Sequence, residues 1–296
     1  MILNRLYEKK LITCPKWLLS NTIYLCYMGS QAYGVSSESS DIDIYGICIP
    51  PKEEVFPHLK GEIQGFGRQK QRFEQYQQHH IIYKEEGKEY DLTVYNIIKY
   101  FSLAMDNNPN IVDSLFVPRN CVCFSTQIGE LIRQNRTKFL HKGSFQKFLG
   151  YAYSQLHKIK NNKSAESSRK ELIAKHGYDT KFAYHIYRLA DEADQILSHG
   201  DIDLQRANEV MKAIRRGQWP LDKLLEWFDS KEKALTELYS TSKLQHSPNE
   251  DEIKALLVQC LESHYGDLSD CIKLDLDKTK LIDEIEEKLQ LLRKSI

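Results

Sequence analysis

Two aspartates one residue apart, Asp41 and Asp43, stand in the run SDIDIYGICIPP, whose other residues favour a buried strand. In a strand alternate side chains share a face. The two carboxylates therefore project together, with Cα atoms about 6.6 Å apart at two strand rises, while Ile42 and Ile44 face the other side. A carboxylate left uncompensated in such a place is costly. A divalent cation removes that cost: Mg²⁺ takes oxygen ligands, commonly one or two carboxylates with substrate phosphates and water. Upstream, Gly29 and Ser30 follow an apolar run and open a short helical turn through Gln31 to Tyr33. Backbone N–H groups at such a turn can receive a phosphate, a glycine lets it approach the chain, and a serine hydroxyl adds a donor. A triphosphate tail on the turn and its metal on the aspartates would be two parts of one substrate site.

Two-metal phosphoryl chemistry uses a further carboxylate near the attacking hydroxyl. Asp91, in KEYDLTVY, is the candidate, because Leu92 and Val94 would face the core while Asp91, Thr93 and Tyr95 face away. Glu85, Glu86 and Glu89 crowd the same stretch and read as ordinary surface acids. Asp41, Asp43 and Asp91 are thus the expected metal ligands, with Asp91 also a possible base for the acceptor hydroxyl.

The elements that must position these groups divide the chain in two. Strand signals fall at 22–28, 41–49, 79–84, 89–95 and 121–124, and IIYKEEGKEYDLTVY reads as an antiparallel hairpin turning at Gly87-Lys88. Helical spacing runs over 96–105, where Asn107, Asn108 and Pro109 end it, and a further helix is expected over 109–116. From residue 126 the periods are helical: 144–160, 167–175, 180–198, 207–216, 221–241, 250–264 and 281–292, with polar breaks at 161–168 and 242–249. The expected fold is α+β, a mixed or antiparallel sheet domain over 1–125 followed by a helical domain over 126–296 that closes the cleft.

Composition bounds the setting. The 296 residues are 41% hydrophobic and 28% charged, ordinary for a folded chain long enough for about two domains. Lys+Arg and Asp+Glu both number 41, so overall charge gives no argument for a polyanionic partner, although local basic patches remain open. No run approaches the roughly 18 apolar residues of a membrane span. The first ten residues carry Arg5, Glu8, Lys9 and Lys10 without the apolar core of a leader. The 7 cysteines are odd in number and scattered, which suits reduced thiols, and the Cys121/Cys123 pair reads as strand positions rather than a zinc half-site. These features lead us to expect a cytoplasmic protein with no membrane contact.

The Gly-Ser turn followed by Asp-x-Asp and a later aspartate resembles the pattern of the DNA polymerase β nucleotidyltransferase superfamily. GSQAYG, SDIDIYGICIPP, YDLTVYNIIKYFSLAMDNNPNIVDSLFVP and GYDTKFAYHIYRLADEADQIL are similar, in that order, to blocks of the RNA-ligase-associated nucleotidyltransferases, with a vaguer echo in GQWPLDKLLEWF and LQHSPN. Gln31 stands where such proteins often carry a basic residue. The resemblance implies transfer of a nucleoside monophosphate from an NTP to an acceptor hydroxyl with release of pyrophosphate. It implies two Mg²⁺ ions, with Mn²⁺ able to substitute, and an RNA end, such as a cleaved tRNA, as acceptor. It also carries a K-x3-H-x2-R pattern onto Lys181, His185 and Arg188, which at i, i+4 and i+7 share a helix face and would grip nucleotide phosphates or acceptor alongside Gly29 and Ser30.

Other readings stay open at this level. AMP transfer to a protein or small-molecule hydroxyl, as in antitoxin-like and antibiotic-modifying relatives, suits the neutral charge slightly better than avid RNA binding does. A non-catalytic NTP or RNA sensor would not need both aspartates, and a glycosyltransferase Asp-x-Asp leaves the Gly-Ser turn unexplained. Lys181, His185 and Arg188 also fit a solvated helix face. His79 and His80, as adjacent strand residues, should point apart and chelate poorly. Arg68, Lys70 and Arg72 form a small basic cluster, either a loop rim or an RNA contact. Ser36, Ser37 and Ser39 could bond nucleotide, though loops favour serine anyway. Trp17, Trp219 and Trp227 read as packing residues.

Overall fold

A computed structural model describes residues 1–37, 40–161, 167–268 and 271. The expected helix over 281–292 lies outside the described residues, as do Glu38 and Ser39. The chain enters through helices α1 (Ile2–Glu8) and α2 (Lys16–Asn21), followed by strand β1 (Thr22–Tyr27), the one-turn α3 (Gly29–Ala32), β2 (Ile42–Cys48) and the short α4 (Lys52–Val55). The hairpin of β3 (Gln75–Tyr83) and β4 (Lys88–Asn96) comes next, then α5 (Ile97–Met105), α6 (Pro109–Phe116), β5 (Val122–Ser125) and α7 (Gln127–Gln134). Helices α8 (Ser144–Lys160), α9 (Ser167–His176), α10 (Thr180–His199), α11 (Asn208–Arg215), α12 (Leu221–Thr241) and α13 (Glu250–Tyr265) follow among the described residues.

Among the described residues the strands form one mixed five-stranded sheet in the order β3-β4-β2-β1-β5. Only the β2–β4 pair is parallel; β1 runs antiparallel to both its neighbours, and β3 antiparallel to β4. Strand alternation sorts the side chains onto two faces. On one face Leu25, Ile42, Ile44, Cys48, Leu92 and Val94 pack with Leu3, Leu6 and Leu18 of α1 and α2. Leu25, Ile44 and Leu92 are wholly buried there, each contributing about 1.5–3 kcal/mol relative to exposure. The other face meets the helical half, so Tyr24, Ile47 and Ile49 join one continuous apolar cluster that reaches as far as Leu268.

Local signals place the helices that frame the site. Asn96 caps α5 by accepting from the Ile98 N–H at 2.7 Å, and Asn108 caps α6 ahead of Pro109. Asp179 caps α10 by accepting from the N–H groups of Lys181 and Phe182 at 2.8 and 3.2 Å, and Gly200 ends that helix in the left-handed conformation at φ 65°. Lys181 therefore sits in a first turn whose direction is fixed by its own cap.

The structure departs from the expected strands at β3. That strand begins at Gln75 rather than near 79, and its pairing with β4 shifts register between Gln78 and Ile81 around His80, whose φ is +54°. The run QYQQ has no apolar alternation to announce a strand. It is an edge strand, mostly exposed, so pairing with β4 rather than burial makes it extended.

Candidate functional site

The β1–β2 register brings the two chemistry-bearing stretches together. Tyr27 pairs with Ile44, and the Met28 N–H donates to the Asp43 carbonyl at 2.8 Å, which sets Gly29 beside Asp43. Gly29 has φ +58°, and a Cβ built there would lie 2.0 Å from Asp43 Oδ2. Glycine is required at this point both for its backbone conformation and for the space the carboxylate occupies. In the parallel ladder Asp43 is the direct partner of Asp91, so their side chains share a face on adjacent strands. Asp41 lies just ahead of β2 and is exposed.

Charge accumulates accordingly. Burial, then the carboxylates of Asp91 and Asp41, push the Asp43 carboxyl up to about 6, against smaller opposing effects of His79 and Lys181. A positive charge placed beside Asp43 would favour its ionised form. Carboxylate oxygens of the kind Asp41, Asp43 and Asp91 offer are what Mg²⁺ and Mn²⁺ take, but among the described residues these three do not converge within 4.8 Å of one another.

An open cleft of about 340 Å³ spreads in front of Asp41 and Asp43; Asp91 is not among its lining residues. Gly29, Ser30, Asp41 and Asp43 form one side; Lys181, Tyr184 and His185 of α10 form the other. The structure thus brings Lys181, His185, the Gly-Ser turn and the Asp pair to one cleft. The loop serines Ser37 and Ser40 also line it, with Ser40 Oγ accepting from the Ser37 N–H at 3.0 Å.

Arg188 does not join them in the cleft. Only 2% of its side chain is exposed, and its guanidinium donates to the Tyr33 hydroxyl and to Asp113 Oδ2, with Glu192 Oε1 at 3.6 Å. The Tyr33 hydroxyl itself donates to Asp113 at 2.8 Å, and the guanidinium carbon lies 4.3 Å from the Tyr33 ring centre. Burial pushes Glu192 well above the usual carboxylate range. Tyr33 lines the cleft directly after α3, so Arg188 sits one layer behind the surface that faces substrate and holds the Gly-Ser turn through it.

Asp91 is engaged at the sheet edge. Its Oδ1 accepts from the His80 N–H at 2.8 Å, and its Oδ2 lies 3.2 Å from His79 Nδ1. His80 Nδ1 meets Glu89 at 2.5 Å. The expectation that these histidines point apart assumed regular alternation; the bulge cancels it, and both reach acids of β4. His80, Glu89 and Asp91 offer ligand atoms within 4.8 Å of one another.

Sequence reasoning missed Arg215, Tyr151, Tyr184 and Asn110, all of which line the cleft. Arg215 donates to the Val35 carbonyl at 2.5 Å and lies 5.4 Å from the Tyr184 ring centre, which ties α11 to the loop leaving the Gly-Ser turn. No spacing connects Arg215 to Asp43 in the sequence; only the packing of α11 on α10 does.

The profile of the RNA repair pathway DNA polymerase beta family (RlaP) matches residues 4–259, which takes in the sheet, the aspartates and nearly all of the described helical half. The chain belongs to this family. It is 27% identical over 139 residues to an uncharacterized 38.9 kDa protein in the nrdC-mobD intergenic region of Enterobacteria phage T4. That match covers 46% of this chain and 38% of the phage protein, so the chain spans about two-fifths of that relative's length. A nucleotidyltransferase-like protein from Exiguobacterium sibiricum aligns over 88% of this chain and 73% of its own, at 12% identity and a TM-score of 0.30. In this member of the family, Asp43 lies on the sheet face that meets the helices, with Asp41 just ahead of the strand. Among the described residues no helix is long and apolar enough to cross a membrane.

Proposed function

We propose that this protein transfers a nucleoside monophosphate from an NTP to an acceptor hydroxyl at an RNA end, such as that of a cleaved tRNA, releasing pyrophosphate. The observation that carries this reading is the position of Asp43, held between the side-chain-free face of Gly29 and its ladder partner Asp91. Residues 1–125 supply the carboxylates, and the helical remainder closes the cleft over them. Asp41, Asp43 and Asp91 would hold two divalent ions, Mg²⁺ or Mn²⁺, whose chemistry is to neutralise phosphate charge and lower the pKa of the attacking hydroxyl.

The chain's own residues then have distinct tasks. Gly29 and Ser30 receive the triphosphate tail on their N–H groups and the serine hydroxyl. Lys181 and His185, across the cleft, face the same phosphates; Lys181 adds a fixed positive charge there. Asp91 stands nearest the sheet edge and accepts the proton of the acceptor hydroxyl. Tyr33, fixed by Arg188 and Asp113, holds the turn so that the α-phosphate and the hydroxyl meet in a fixed orientation.

Neutral overall charge keeps a second acceptor in play, a protein or small-molecule hydroxyl receiving AMP. The test is incubation with each of the four α-³²P-labelled NTPs and Mg²⁺ or Mn²⁺, offering RNA with a free 3′ hydroxyl, cell protein and small polyols in parallel. Label on RNA that is lost in the Asp41→Ala, Asp43→Ala double variant supports the reading and names the donor base. Label on protein alone moves the acceptor to the second reading, and NTP binding without transfer to any acceptor leaves a sensor.

A further inference from the structure

A file of polar side chains runs along the outer edge of the sheet into the site. β3 is an edge strand, and its Gln75, Gln77 and His79 are exposed on the face opposite the Leu92 and Val94 core. Gln75 Nε2 donates to Gln77 Oε1 at 3.0 Å, Gln77 Nε2 meets His79 Nε2 at 2.5 Å, and His79 Nδ1 lies 3.2 Å from Asp91 Oδ2. From Gln75 to His79 the file spans about 13 Å at four strand rises, room for about four stacked nucleotides. Its far end adjoins the loop that precedes β3. There Phe66 is 78% exposed and Ile63 62%, around a surface hollow of about 350 Å³. Lys60 and Arg72 are paired with Glu54 and Glu62, whereas Arg68 and Lys70 make no ion pair among the described residues.

We propose that this edge seats the single-stranded 3′-terminal nucleotides of the RNA acceptor, with the terminal hydroxyl at Asp91 and the preceding strand passing over β3 to the Phe66 loop. The inference rests on the nucleotidyl-transfer reading and adds to it where the acceptor lies. Glutamine amides offer both donors and acceptors to base edges and to the 2′ hydroxyl, which a strip of charged side chains would not. An exposed aromatic beside two uncommitted cations is a stacking platform with phosphate contacts on either side. So few cations mean a contact of about two phosphates, which reconciles RNA binding with a chain of zero net charge. An added protein strand fits this edge poorly, because the bulge at His79-His80 interrupts the ladder it would extend.

The test uses the full chain and a fluorescein-labelled twelve-nucleotide single-stranded RNA with a free 3′ hydroxyl, followed by anisotropy, beside a blunt duplex of the same sequence. Gln75→Ala with Gln77→Ala, and separately Phe66→Ala with Arg68→Ala and Lys70→Ala, should each weaken single-strand binding about tenfold while NTP affinity and Tm hold. Lys181→Ala should do the reverse. Wild-type affinity in both edge variants, or a wild type that prefers the duplex, overturns the proposal. The two readings separate in the transfer assay. Transfer to RNA at full rate by the edge variants discards the track and keeps the reaction, whereas edge-dependent RNA binding without transfer to any acceptor keeps the track and discards the reaction.

Discussion

At Gly29 the chemistry depends on the absence of a single carbon. Gly29→Ala would drive a Cβ into the Asp43 carboxylate and force a side chain onto φ +58°. It should abolish transfer and lower stability by about 1–3 kcal/mol, read by denaturant unfolding beside the transfer assay. Asp43 carries the opposite trade. Its carboxyl is held up to about 6, against an ordinary value of 3.8, so the folded state resists ionising it. The folded chain therefore binds more protons than the unfolded chain between about pH 4 and pH 6, and metal-free stability falls as pH rises through that window. Asp43→Asn should stabilise the protein in EDTA by about 1–3 kcal/mol at pH 7.5, with the gain vanishing below pH 4, while removing activity. Mg²⁺ affinity of the wild type should rise with pH through about 6 and then level off, as titration calorimetry would register.

At the scale of elements, α10 presents two cations that its sequence spacing does not distinguish. Lys181 lines the cleft; Arg188, two turns on, is buried against Asp113, Glu192 and Tyr33. Lys181→Ala should raise KM for NTP about tenfold or more and change stability by less than about 0.5 kcal/mol. Arg188→Met should cost about 3–5 kcal/mol, because it leaves buried carboxylates uncompensated, and should reach activity only through the Tyr33 turn. Unfolding curves and KM measured on the same preparations separate the two effects. The i, i+4, i+7 pattern was legible in the sequence because it depends on one helix; which of its members meets solvent depends on α6, and no local pattern encodes that. The same distinction explains the sheet. Strand β1 announces itself as a continuous apolar run and β2 and β4, with the Asp pair, by alternation, whereas β3 has no apolar rhythm, and the bulge that turns His79 toward Asp91 comes from its pairing with β4. Arg215 was illegible for the same reason, being brought to the cleft by helix packing alone.

For the whole molecule, the division into a sheet half and a helical half is one of topology more than of folding. Tyr24, Ile47, Tyr100 and Phe101 belong to the same apolar cluster as Phe139, Phe148 and Ile186, with Phe101 and Phe139 rings 5.3 Å apart. Polar ties cross the same boundary: Asn107 Nδ2 donates to the Phe139 carbonyl at 2.7 Å, and His141 Nε2 meets the Met105 carbonyl at 2.8 Å. A fragment of residues 1–125 would expose that apolar face. It should aggregate or show poorly dispersed amide resonances, whereas the full chain should unfold in one cooperative transition. A well-dispersed, monomeric fragment would show instead that the sheet half folds alone. The cleft lies on this shared seam, so its geometry depends on both halves packing as one core.

What the NTP gives to the acceptor is read by intact-mass spectrometry of that acceptor, and what leaves is read by chromatography of the nucleotide products. A defined RNA with a free 3′ hydroxyl would be incubated with Mg²⁺ and the four NTPs, using wild type and the folded Asp43→Asn variant, with nucleotide products followed by chromatography. Wild type should add one nucleoside monophosphate to the RNA and release an equal amount of pyrophosphate, and Asp43→Asn should do neither. Unchanged RNA with NDP and phosphate as products, or undiminished transfer by Asp43→Asn, would contradict nucleotidyl transfer through Asp43.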